Sequence, residues 1–180
     1  MNTSKWTTAL DLITSDFKQQ FGNLTLQQLN WKSAPQRWSV AQNIEHLIVI
    51  NKTYFPIFEQ ISAGNYKLPW LSRFGFLVNF FGRIILDSVQ PDRKKHMKTF
   101  PLWEPSQSEI GADILLRFEA HQEELKKLIE NSSDLLDKNT IICSPANKNI
   151  VYKLETAFDI IVAHERRHFE QAKEMLALMR

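Results

Sequence analysis

Residues 154–179 read LETAFDIIVAHERRHFEQAKEMLALM. Leu154, Ala157, Ile161, His164, His168, Met175 and Met179 recur at helical spacing and therefore share one face. Two of these inward positions are histidines, set in the middle of an otherwise apolar stripe. Burying an imidazole without a partner costs about 1–3 kcal/mol on mutational scales. Two of them four residues apart ask for a common partner. Their Cβ atoms lie ~5–6 Å apart on one helix face, which suits two ligands of one ion at metal–nitrogen distances of about 2 Å. The second nitrogen of each ring is then left to donate to an acceptor behind it.

The rest of the chain supplies partners for this helix. Trp6, Leu10, Ile13, Phe17 and Phe21 step by four, three, four and four, the mark of a first helix with one buried face, and Gly22 ends it. LTLQQLNW follows as a short turn or helical piece. Ser39-Val-Ala-Gln42 is a capping box that opens a second helix to about Ala63, with Val40, Ile44, Leu47, Phe55 and Phe58 inward. A second box, Ser106 to Glu109, predicts the start of a third helix that buries Ile110, Ile114, Phe118, Leu125 and Leu128. The fourth runs from about Leu154 to the end. The connection from Asn131 to Lys153 reads as polar and irregular. Four helices without strand-like alternation predict an all-α four-helix bundle formed as a single domain over residues 1–180.

Between the second and third helices lies an excursion, Gly64 to Pro105, too long for a plain loop in a compact domain. Within it LSRFGFLVNFFGRIIL predicts an extra helix across the bundle. Its apolar face, Phe74, Leu77, Phe81 and Ile85, is expected to pack on the bundle or on a second copy, which makes a homodimer the expected assembly. PDRKKHMK then reads as a solvated basic turn, with His96 in it.

Composition is that of a globular chain, 43% hydrophobic and 23% charged. A net charge of +2 gives no basis for nucleic acid as a general partner. The single cysteine, Cys143, excludes an intramolecular disulfide and a Cys-rich zinc site, and a lone loop cysteine reads as inert. The N-terminal MNTSKWTTALDLITSDF carries acids and lacks the apolar core of a signal peptide. The most apolar stretch, Leu71 to Leu86, is interrupted by Arg73, Asn79 and Arg83 and is too short for a membrane span. A cytoplasmic location without a membrane partner is expected.

A catalytic site of zinc type needs a third protein ligand. The candidate is His46 in NIEHL, beside the apolar stripe of the second helix and less than two turns past its cap. Facing helices then present His46, His164 and His168 to one ion. His121, in RFEAHQEEL, reads as a hydrogen-bonded boundary histidine ahead of a fourth ligand or proton carrier. Glu165 sits about 100° round the helix from His164. It reads as solvent-facing ahead of a base or a ligand-orienting group.

The pattern H-E-x-x-H at 164–168 also occurs in zinc proteases. Their longer form, H-E-x-x-H-x-x-G-x-x-H, would need glycine and histidine where this chain has Gln171 and Glu174. The other form takes a glutamate from a later helix, for which only residues 169–180 remain. A di-iron bundle would want E-x-x-H on two helices, and Glu165-Arg-Arg-His168 has no second copy.

WSVAQNIEHL and AHERRHFEQ resemble the DinB-like superfamily of bacterial four-helix bundles. There a W-S-x-x-[EQ] entry precedes a histidine on the second helix, and H-x-x-x-H with a following glutamine marks the fourth. The resemblance implies a divalent metal, zinc or nickel, on His46, His164 and His168. It further implies a metal-dependent transferase acting on a small-molecule substrate with a low-molecular-weight thiol such as bacillithiol or mycothiol. A metal-dependent hydrolase and a non-catalytic metal-binding or structural stress-related bundle are the alternatives.

Overall fold

A computed structural model of the chain describes residues 2–92 and 99–179. His96 and most of the basic run lie outside the described residues. Four long helices make the bundle: α1 (Ser4–Phe21), α3 (Val40–Lys52), α6 (Ile114–Glu130) and α8 (Leu154–Leu178). Shorter elements are α2 (Leu26–Asn30), α4 (Phe55–Ser62), α5 (Gly75–Ser88), α7 (Ser133–Asp137) and a hairpin of β1 (Ile141–Ser144) with β2 (Asn147–Lys153). The chain is thus mostly helical, as its periodicity requires, and the predicted capping box at Ser39 and Gln42 forms in both directions.

Side-chain contacts give the helix directions. Lys126 pairs with Asp11 and Lys18 with Glu119, so α1 and α6 are antiparallel. Asn43 meets His168 and Asn51 meets Glu165, so α3 and α8 are antiparallel as well. Each long helix packs on two others, closing a ring in the order α1, α6, α3, α8.

The apolar stripes fill two clusters, one toward each end of the bundle. One holds Trp6, Leu10, Tyr54, Leu125 and Ile161, and the other Ile13, Phe17, Leu47, Phe118 and Ala172. Between them the helices turn polar at the same height. Asn51, His121, Gln122, Glu165 and His168 are all buried there.

Several boundaries differ from the periodic reading. The second helix breaks after Lys52, because Pro56 lacks an N–H and its ring excludes the carbonyl four residues earlier, that of Lys52. The third begins at Ile114 rather than at Ser106. Ser106 is instead tied to α3, its N–H donating to Glu45 and its carbonyl accepting from Gln42. The Asn30 amide bonds both the N–H and the carbonyl of Ile110, burying that side chain outside any helix. The connection expected to be irregular contains α7 and the antiparallel hairpin, with Ile142 opposite Tyr152 and a bulge between Cys143 and Ser144. Four-residue strands carry too few alternations to stand out in sequence. Cys143 lies in that hairpin, buried, and not in a loop.

The excursion forms α5, as expected, but its packed face is centred on Val78 and Gly82. A Cβ at Gly82 would lie 3.1 Å from Thr156 Cγ2 of α8 and 3.3 Å from Tyr152 Cβ of β2, so glycine sets the close approach of α5 to both. Leu77, Phe81 and Ile85 are half-buried, whereas Phe74 is exposed.

Candidate metal centre

His46 reaches the polar layer from the second turn of α3, and His164 and His168 from the middle of α8. The ring centroids lie 4.6 Å apart for His46 and His168, 5.2 Å for His46 and His164, and 4.5 Å for His164 and His168. One ligand nitrogen from each can be chosen so that all three lie within 4.8 Å of one another. The sequence-predicted triad therefore converges, including the off-stripe His46, which is buried.

Two of the three rings have their tautomer set by a fixed acceptor. His46 Nδ1 donates to the Trp103 carbonyl at 2.6 Å, since a carbonyl oxygen can only accept. His168 Nδ1 donates to Asn43 Oδ1 at 2.8 Å, and the Asn43 amide is oriented by donating to the Ser39 carbonyl. Both rings are left with an Nε2 lone pair, and His168 Nε2 is 3.1 Å from His164 Nε2. Metal–nitrogen bonds of about 2 Å fit that span. Backing acceptors of this kind are the usual way a protein fixes its metal-binding histidines.

The local electrostatics keep these nitrogens unprotonated. Burial lowers His46 to about 4, against the Trp103 hydrogen bond, which raises it. Burial also holds His164 and His168 well below the usual histidine range, and the neighbouring histidines and Arg167 push the same way. Three neutral imidazoles at neutral pH are what a divalent ion requires, because a protonated ring has no lone pair to give.

Trp38 stacks on His168 at 5.8 Å and tilts against His46 at 4.8 Å, walling the cluster on the side of the loop before α3. The cluster lies on the wall of a cavity of about 790 Å³, which His46, His164, His168 and Trp38 itself help to line. Such a volume is within the range of small-molecule sites.

His121 does not join the cluster. It is buried, stacks on Phe55 at 5.7 Å, and neither ring nitrogen has a hydrogen-bond partner among the described residues. The hydrogen-bonded boundary position expected for it is therefore corrected to a buried, unpaired one. Glu165 is corrected too. It is fully buried, not solvent-facing, and its carboxylate accepts from Asn51 Nδ2 and Gln122 Nε2, each at 2.7 Å. Burial raises it to about 7, although both amide bonds work against the shift.

Asn43 and the Trp103 carbonyl escaped the sequence reading, and Trp38 entered it only as the tryptophan of the W-S-x-x-[EQ] entry. Asn43 carried a signal, since it precedes His46 by three residues and so shares its face. Trp103 carried none, because it acts through its backbone from an irregular segment.

No curated protein matches the chain, nor does any solved structure. The family model of the DinB superfamily matches residues 9–172, a span that includes α3, α6, most of α1 and α8, and all three converging histidines. The chain belongs to the DinB superfamily.

Proposed function

We propose that the protein is a metal-dependent enzyme in which His46, His164 and His168 hold a divalent zinc or nickel ion and a low-molecular-weight thiol is transferred to a small-molecule substrate. The observation that carries this reading is three imidazoles, convergent within 4.8 Å, at the wall of a cavity of about 790 Å³. A bound ion on three protein ligands supplies Lewis acidity at an open position, lowering the pKa of a thiol there. The residues of the chain do the positioning. Asn43 and the Trp103 carbonyl fix two ligand rings. Trp38 packs its ring against His46 and His168. Glu165 holds α8 to α3 and α6 through its two amide donors, and so keeps His164 in register.

A non-catalytic metal-binding bundle is the second reading. The same donor set supports it, and the size of the cavity favours the enzyme. Activation of water in place of thiol would make the enzyme a hydrolase with the same ligands.

The test begins with metal analysis of protein purified without a nickel column, followed by a screen of thiols such as bacillithiol and mycothiol. His164→Ala should lose the ion and the thiol-transfer activity while far-ultraviolet circular dichroism stays helical, because the lost group is polar and the neighbouring core is untouched. Transfer activity persisting in a verified metal-free variant would overturn the reading. Unfolding on metal removal would assign the ion a structural role instead.

A further inference from the structure

The cavity is not uniform along its length. Its charged lining residues, Arg37, Glu104, Arg167 and Glu174, all belong to the loop before α3, the segment beside Trp103, or α8 from the histidines onward. Because α3 and α8 are antiparallel, these positions lie at or beyond the histidine level, toward one end of the bundle. The opposite half is lined by Ile50, Ile85, Ile150, Ile160 and Ile161, and no charged side chain among the described residues lines it.

That apolar half ends on hydroxyls. Tyr54 Oη and Tyr152 Oη are 3.1 Å apart, Tyr152 also bonds the Ser144 side chain, and all three residues line the cavity. Three hydroxyls carry three protons, and the two links of this chain use two of them. One donor and several lone pairs are left over. Tyr54 lies just past the end of α3, at Lys52, which is six residues or about 9 Å of helix beyond His46. Tyr152 is seated just before α8, at the matching end of that helix.

We propose that this half of the cavity binds an elongated, uncharged molecule, its hydrocarbon stem between the isoleucines and a hydrogen-bonding end on the Ser144–Tyr152–Tyr54 hydroxyls. The proposal deepens the functional reading above by giving the class of the second substrate, and it rests on that reading only for what happens at the histidine end. A molecule that carries a charge along its stem does not fit, because an ion between the isoleucines would have no counter-charge.

The test uses the whole protein and a probe series rather than the unknown substrate. A neutral fluorophore, N-phenylnaphthylamine, is bound and then displaced by straight-chain primary alcohols from butanol to dodecanol. Burial of each methylene should raise affinity about fourfold until the channel is filled, after which the gain stops. Tyr152→Phe should weaken the alcohols about fivefold and leave the fluorophore unchanged, since it removes one hydrogen bond from the end of the channel. Ser144→Ala is the second variant for the same end. Ile150→Asp should abolish the dependence on chain length. Affinities independent of chain length, or unchanged in Ile150→Asp, overturn the apolar channel; alcohol affinities unchanged in both hydroxyl variants overturn the anchor. Zinc affinity is followed in parallel by chelator competition, and His164→Ala should lose zinc and retain the alcohol series. A protein that binds alcohols as expected but no zinc would sink the metal reading and leave this inference standing, and the converse result would do the reverse.

Discussion

Glu165 stands next to a candidate ligand in sequence and faces away from it in space. Its carboxylate terminates two amide donors, and Glu165→Ala would leave Asn51 and Gln122 buried without an acceptor. A loss of about 2–6 kcal/mol in denaturant unfolding is expected, as each of the two buried unsatisfied groups costs about 1–3 kcal/mol. His121 makes a different kind of demand on the fold. Burial, helped by Lys52, lowers it from the ordinary 6.5 to about 4. As pH falls from 6.5 toward 4 the unfolded chain therefore takes up a proton that the folded chain refuses. Stability is lost over that window and levels off below it. His121→Leu removes this linkage. Relative to the parent protein, its stability should improve by about 2 kcal/mol on going from pH 8 to pH 5, read from urea unfolding at both values. An equal offset at the two pH values would refute the buried neutral assignment.

At the scale of elements, the joint between α5, the hairpin and α8 carries the cavity wall. Ile85 comes from α5, Ser144 and Tyr152 from the hairpin, and Ile161 from α8, so their spacing depends on how closely α5 lies on β2. Gly82 sets that distance. Gly82→Leu should push α5 outward and destabilise the protein by about 1–3 kcal/mol in thermal or urea unfolding, an overpacking cost. The same joint shows what local patterns conveyed. The α5 helix was legible from its apolar run. Its packed face was not, since apolar side chains surround it and one stripe could not be told from another. The hairpin was missed because β1 has only four residues and β2 runs directly into α8, so neither shows a clear alternation of its own.

For the whole molecule, the open question of contact is the outer side of α5. Phe76 is 69% exposed, Phe80 56% and Ile84 47%, one helical turn apart. A two-fold axis through Phe80 would set Phe76 against the partner's Ile84. The exposed apolar area would then be covered by one operation, as closed dimers require. Sedimentation equilibrium should give twice the chain mass, and Phe80→Glu should give the chain mass with unchanged helicity. A parent protein that sediments as a monomer would end the homodimer expectation. Among the described residues no helix is long and apolar enough to cross a membrane.

The sequence by itself determined the long helices, the cap at Ser39 and the pairing of His164 with His168, because each depends on residues within one or two turns of each other. It also brought His46 into consideration, through its place near the start of a facing helix. Tertiary structure decided the rest. Helix α8 packs against α1, α3, α5 and β2, so it is covered on more sides than one apolar stripe can report. Glu165 and Arg167 are buried for that reason, off the stripe that the periodicity marks. The polar layer arises only where three helices place polar residues at one height, and the cavity only where α3, α5, the hairpin and α8 bring residues to one space. Those are relations between distant segments, and no local period encodes them.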